Sequence, residues 1–146
     1  MNEVCVDSNV AIKWVVFEED HDKAKALFEE WKAKRVRIIA PSFFPVEVES
    51  VIRRKVAVDK TLTEDEGDRA VRVLRKFPIE IITLPGQLER AWELAKELDR
   101  PVVYDTHYLA LAEMKGCEFW TADKRLHNVV KGKLDFVRFL KNYRKL

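Results

Sequence analysis

The sequence predicts an α/β fold: a mainly parallel central sheet of four or five strands flanked by helices. Two patterns point to it. Short apolar runs alternate with stretches whose apolar residues recur at i, i+3, i+4 and i+7. Strands alternating with helices in this way favour parallel pairing within one layered domain. A third observation agrees: Gly (4) and Pro (5) are scarce, which disfavours long disordered stretches.

The elements follow in order. "EVCVD" reads as a short buried strand ending at Asp7, and residues 9–17 as a helix with Val10 and Trp14 four apart. Asp20 is placed to cap a second helix, striped by Ala24, Leu27, Phe28 and Trp31. "VRIIAP" is a second strand stopped by Pro41. Pro45 suits a helix's first turn, and Val48, Val51, Ile52 and Val56 form that helix's apolar face. "TEDE" at 63–66 matches a capping box from Thr63 to Glu66, opening a helix expected to bury Ala70, Val73, Leu74 and Phe77. "IEIITL" is a third strand, broken by Pro85-Gly86. Leu88, Ala91, Trp92, Ala95 and Leu98 stripe the next helix. A helix from about 105 to 115 ends at Gly116, "CEFWTAD" gives a fourth strand ending at Asp123, and "LDFVRFL" a fifth. Trp31 and Trp92 are read as core residues.

The 146 residues are expected to form one domain, 1–146, long enough to bury a core without staples. A net charge of +2 neither requires nor excludes nucleic acid. Cys5 and Cys117 fall in predicted strands, away from metal-ligand spacing, and read as reduced core residues of a cytoplasmic protein. The start, "MNEVCVD", lacks a signal peptide's basic and apolar segments, and "WVVF" is far too short to span a bilayer. No glycine-rich phosphate loop or H-E-x-x-H zinc motif is present.

Asp7, Glu47, Asp105 and Asp123 stand apart from the acids in charged runs, because each adjoins apolar residues at a strand end or helix start. Taken singly, each has a structural explanation. Asp105 and Asp123 suit helix N-caps, Asp7 a turn, and Glu47 a first-turn position favoured by the helix dipole. Those explanations leave open why several acids should gather at one edge of a sheet. Ligands of open α/β sheets bind beyond the carboxyl ends of the strands, where Asp7 and Asp123 are predicted to lie. Gathered carboxylates repel one another unless a cation compensates, and magnesium or manganese prefers such oxygen ligands. An ion held there acidifies water and offsets charge on phosphate oxygens, so the acids suggest metal-dependent phosphodiester cleavage.

In this order the motifs resemble those of the PIN-domain nucleases, most closely the VapC-type toxins of prokaryotic toxin–antitoxin pairs. "VCVDSNVAIKW" looks like the family's first motif, "APSFFPVEVESVIRR" its second, "VVYDTHYLALAE" its third and "FWTADKRL" its fourth. The resemblance covers nearly the whole chain. It implies a single PIN-like domain and a Mg2+- or Mn2+-dependent ribonuclease. Asp7 and Asp105 would be primary metal ligands, with Glu47 and Asp123 completing the pocket or acting through water. Asn9 and Thr121 fall where small polar residues support the site. Ser50 stands where the family often has Asn, and could support Glu47 by a hydrogen bond. His107 departs from the family's usual small residue and is read as inert, though near enough to touch a phosphate.

An acidic pocket needs basic neighbours to hold a nucleic-acid backbone. Lys13, Arg53, Arg54, Lys55, Lys124 and Arg125 lie within about eight residues of a pocket acid, and Arg53, Arg54, Lys124 and Arg125 are the expected RNA contacts. The C-terminal "KNYRKL" adds positive charge. RNA as substrate, a cognate antitoxin covering the pocket and a homodimer are what the resemblance implies. The alternatives are a housekeeping PIN-domain RNA-processing nuclease and a catalytically inactive PIN-like RNA- or protein-binding module. An aspartyl phosphatase would need a second aspartate two positions after the first, where Asn9 stands.

Overall fold

The structure, a computed structural model, describes residues 2–145. Five parallel strands form one sheet: β1 (Glu3–Val6), β2 (Arg37–Ala40), β3 (Ile79–Ile81), β4 (Glu118–Thr121) and β5 (Val137–Phe139). Their order is β3-β2-β1-β4-β5. The chain builds outward from β1 to β3, then returns to the other side of β1 for β4. This reversal creates a switch point at the carboxyl ends of β1 and β4, the place where open α/β sheets bind ligands. In register, Cys5 lies beside Ile39 and Phe119, and Val6 beside Trp120.

Among the described residues, seven α-helices surround the sheet: α1 (Ser8–Val15), α2 (His21–Ala33), α3 (Phe44–Ala57), α4 (Glu64–Leu74), α5 (Gln87–Glu97), α6 (Tyr104–Lys115) and α7 (Lys124–Val130). The central strands are apolar on both faces because helices cover both, so Val4, Cys5, Val6, Ile38, Ile39 and Phe119 are all buried. Cys5 and Cys117 lie on or beside neighbouring strands as buried free thiols. Burial pushes both thiols up, Cys117 to about 11. Thr63 and Glu66 form the expected capping box at the start of α4. Gly116 ends α6 at φ 66°, a left-handed conformation that glycine adopts without steric cost.

Several local expectations need correction. Asp20 precedes α2 at φ 63° but makes no side-chain cap. Helix α4 stops at Leu74, and Phe77 beyond it stacks on Trp14, with ring centroids 5.1 Å apart. Only Ile79–Ile81 of the third apolar run is strand, as an edge with its outer residues exposed. Val51 and Val73 are exposed on the flanks of their helices. Trp31 is buried as expected, but Trp92 is 59% exposed and Leu88 69%. Helix α5 packs through Ala91, Leu94, Ala95 and Leu98. At about 100° per residue, Leu88 and Trp92 sit about 60° and 100° round from Ala91, off the packed arc. Among the described residues, no helix is long and apolar enough to cross a membrane.

Candidate active site

The site begins with the end of β1. Asp7 follows Val6 directly, and its N–H donates to the Trp120 carbonyl (2.9 Å), pinning the end of β1 to β4. Its backbone carbonyl accepts from Val10 and Ala11, starting α1. The side chain caps nothing and turns to the sheet edge, only 5% exposed. There Thr121 Oγ1 donates to Asp7 Oδ2 at 2.9 Å, and Ser8 Oγ lies 3.4 Å from Oδ1.

Thr121 is the hub of this edge. Its hydroxyl oxygen also accepts from the Asp123 N–H (3.0 Å) and from Asn9 Nδ2 (3.4 Å). Asn9 Oδ1 accepts from the Ala122 N–H at 2.9 Å, closing the link between the starts of α1 and α7. Asn9 and Thr121 are thus brought into contact with the acids at the ends of β1 and β4. Asp123 Oδ1 caps α7, accepting from the N–H groups of Arg125 (2.9 Å) and Leu126 (3.2 Å). Its Oδ2 makes neither bond.

Glu47 and Asp105 come from helices. Glu47 lies in the first turn of α3, which Pro45 helps to start, and the Tyr108 hydroxyl donates to its Oε1 at 2.8 Å. Asp105 is the second residue of α6 and does not cap it: Val103 holds the cap position, after a bend at residues 101–103. Instead Asp105 Oδ2 pairs with Arg100 Nη2 at 3.1 Å, across the turn containing Pro101. The turn brings the guanidinium back over the helix start, and Arg100 Nε is buried with no partner among the described residues.

The charges of neighbouring acids are felt at Asp7 and at Asp105. Burial pushes the Asp7 carboxyl up to about 7; Asp105 and Glu47 add to the rise, and the Thr121 hydrogen bond opposes it. Burial also raises Asp105, with Asp123 and Glu47 adding and Arg100 opposing. Tyr108 is raised by burial and by the Asp7 and Glu47 charges, so it stays a protonated donor. Oxygen donors of this kind suit a hard divalent cation. Among the described residues no three Asp, Glu, His or Cys side chains form a ready metal cage. Magnesium does not require one, since it typically binds one or two carboxylates and completes its shell with water and substrate oxygens. Glu47 Oε2, Asp105 Oδ1 and Asp123 Oδ2 accept no hydrogen bond among the described residues, and Asp7 Oδ1 has only the Ser8 hydroxyl at 3.4 Å; the other Asp105 oxygen is turned toward Arg100.

The basic residues divide. Lys124 and Arg125 are exposed on the first turn of α7, beside Asp123. Arg53 is drawn to Glu64 of α4 (3.0 Å), and Arg54 lies 3.8 Å from Asp59, so neither joins the acids. Lys13 and Lys55 both bind Glu18, at 2.9 and 2.8 Å, and Lys141 binds Glu19 at 2.7 Å. Ser50 is exposed one turn beyond Glu47. His107 is half-buried against Phe43, and burial lowers its pKa.

Sequence reasoning missed Arg100 and Tyr108. Arg100 lies five residues before Asp105, a spacing that becomes contact only through the turn. Tyr108 lies on the buried face of α6 among Leu109, Leu111 and Ala112, and looks like ordinary core until its hydroxyl is located. A mostly apolar cleft lined by Phe44, Val48, Leu74, Phe77 and Ile79 contains none of the four acids.

The PIN domain family model matches residues 4–132. The VapC ribonuclease Mb0985 of Mycobacterium bovis is 32% identical over 105 residues, covering 69% of this chain and 80% of that protein. Ribonuclease VapC9 of Mycobacterium tuberculosis matches with the same figures, 32% over 105 residues. Among solved structures, a toxin–antitoxin complex from Klebsiella pneumoniae superposes with a TM-score of 0.67 at 18% identity, covering 97% of this chain and 99% of that one. VapC20 of Mycobacterium tuberculosis, described as a Sarcin-Ricin loop cleaving toxin, gives 0.64 at 17% identity, over 92% of this chain and 98% of its own. At these identities the structural matches carry the fold alone. The order of the acid-bearing motifs, their place at the switch point and the match over residues 4–132 lead to one conclusion: the chain belongs to the PIN domain family, in its VapC group.

Proposed function

We propose that the chain is a metal-dependent endoribonuclease and the toxin of a type II toxin–antitoxin pair, acting in the cytoplasm as one nuclease domain over residues 1–146. The observation that carries this reading is the electrostatic coupling of Asp7, Glu47, Asp105 and Asp123 at the switch point of the sheet. A buried carboxyl that pairs with no cation among the described residues, held up to about 7 beside other acids, is a poor structural device. It becomes useful when a divalent ion is shared.

Mg2+ or Mn2+ would be held by Asp7 and Asp105, with Glu47 and Asp123 reaching it directly or through water. Such an ion supplies acidified water and offsets charge on the phosphate oxygens. The chain does the rest. Thr121 fixes the Asp7 carboxylate, Asn9 and Thr121 lock the loop carrying Asp123, and Tyr108 orients Glu47. Lys124 and Arg125 provide cations for neighbouring phosphates. RNA as substrate is supported by the ribonuclease relatives. An antitoxin partner is supported by the toxin–antitoxin complexes of the same fold. A homodimer accords with the family.

Sequencing transcripts after induced expression, with an Asp105→Asn control, tests this. Discrete new 5′ ends that vanish in the control and in EDTA-treated reactions of purified protein are expected. Identical transcript ends in both strains would remove the nuclease reading.

A further inference from the structure

Beside the acids lies a group of aromatic rings that the metal chemistry does not use. Tyr104 directly precedes Asp105 and is 57% exposed. Phe43 lies one turn before Glu47, whose N–H donates to the Phe43 carbonyl at 2.9 Å. The Phe43 ring meets three rings of α6 edge-on: Tyr104 at 5.5 Å, His107 at 5.8 Å and Tyr108 at 5.5 Å between centroids. Tyr108 is the buried member and also holds Glu47. The cluster therefore runs without a break from the carboxylates to solvent. Tyr104 is its wet end, with Val102 also exposed.

Tyr104, braced by the Phe43 ring at a steep angle, is held in orientation while more than half of its surface stays open to solvent. It abuts a pocket proposed to receive a phosphodiester. A nucleotide whose phosphate lies at the acids has its base within about one nucleotide's reach of that ring. Unpaired RNA bases are held chiefly by stacking on aromatic faces.

We propose that Phe43, Tyr104 and His107 form a nucleobase subsite, in which Tyr104 stacks on an unpaired base next to the scissile phosphate. The subsite rests on the ribonuclease reading above and adds a specificity-determining element to it. Phe43, itself backed by His107, sets the tilt of Tyr104, and Tyr104 makes the contact. Stacking favours purines over pyrimidines and requires the base to leave any helix, so paired RNA gains nothing from Tyr104.

Full-length protein is titrated in EDTA with fluorescein-labelled oligoadenylate and, separately, with an abasic ribose-phosphate strand of the same length and charge. Anisotropy reads the affinity. Tyr104→Ala is expected to weaken oligoadenylate binding about tenfold and to leave the abasic strand unchanged. Tyr104→Phe should bind as the wild type does. Phe43→Leu should give an intermediate loss, and thermal melts confirm that each variant is folded. Equal affinity of wild type and Tyr104→Ala for oligoadenylate, or equal loss on both strands, overturns the subsite and leaves the nuclease reading standing if the wild type still cleaves RNA. A Tyr104→Ala defect confined to antitoxin binding also overturns it, assigning the rings to a protein. If the wild type neither binds either strand nor cleaves RNA, both readings fall together.

Discussion

The site has two halves that are held in different ways. At the strand ends, Asp7 and Asp123 are fixed by the backbone and by one buried hydroxyl: Asp7 by Thr121, and Asp123 by the N-terminus of α7. At the helix starts, Glu47 and Asp105 are half-exposed and each depends on a single long side chain, Tyr108 or Arg100. The strand half is a rigid frame, because moving Asp7 means parting β1 from β4. The helix half is adjustable, because swinging Arg100 costs only a partly exposed ion pair. On the proposed reading, a divalent ion would take its fixed point from the strand half and its closing ligands from the helix half.

The comparison is broken most severely at its fixed point. Asp7→Asn should cut RNA cleavage by about a thousandfold or more, since it removes a charge from the metal's surroundings but keeps a hydrogen-bonding partner for Thr121. Single-turnover cleavage assays read this. The same variant should melt higher than the wild type in EDTA at pH 8.

A second effect follows from the burial of Asp7. Its carboxyl binds a proton more tightly when folded, at about 7, than when unfolded, near 3.8. That proton stabilises the fold at low pH. Metal-free stability should therefore fall as pH rises from about 4 to about 7, and level off above that. The predicted loss is about 4 kcal/mol. Urea melts across this range should show the slope in wild type and a much shallower one in Asp7→Asn, since Asp105 is raised as well. Saturating Mn2+ should flatten it too.

The supporting shell should give smaller effects. Thr121→Val removes the hydroxyl that joins Asp7, Asn9 and the Asp123 backbone, and is expected to cost about tenfold in Mn2+ affinity. Tyr108→Phe leaves Glu47 unheld and should cost less, because that half adjusts. The smallest change has the opposite sign. Arg100→Gln removes a cation that competes for Asp105, so Mn2+ should bind several-fold more tightly. A weaker site in Arg100→Gln would mean that Arg100 positions Asp105 instead of competing for it.

The sequence made the rigid half more legible than the adjustable one. Asp7 and Asp123 could be placed because strand ends follow from short apolar runs, and a parallel sheet collects its carboxyl ends on one edge. The β3-β2-β1-β4-β5 order then put those two ends side by side. Asn9 and Thr121 came from the motif resemblance, and both lie at or just beyond the ends of those same strands. Helix partners were harder. The pairing of Arg100 with Asp105 depends on a turn geometry that spacing does not encode. Tyr108 shares its periodicity with the leucines that flank it. For the basic residues, closeness in sequence to an acid says little about direction: Arg53 and Arg54 lie two turns along α3 and pair with Glu64 and Asp59. Trp92 and Leu88 failed differently, since helical spacing marks an apolar arc but not how wide an arc the neighbouring helix covers.

The central claim is that acids from both halves share one divalent ion. Titrating Mn2+ into the protein, with the free ion followed by electron paramagnetic resonance, tests it most directly. The account predicts stoichiometric binding to the wild type and at least tenfold weaker binding to both Asp7→Asn and Asp105→Asn. Unaltered Mn2+ binding in either variant would contradict it.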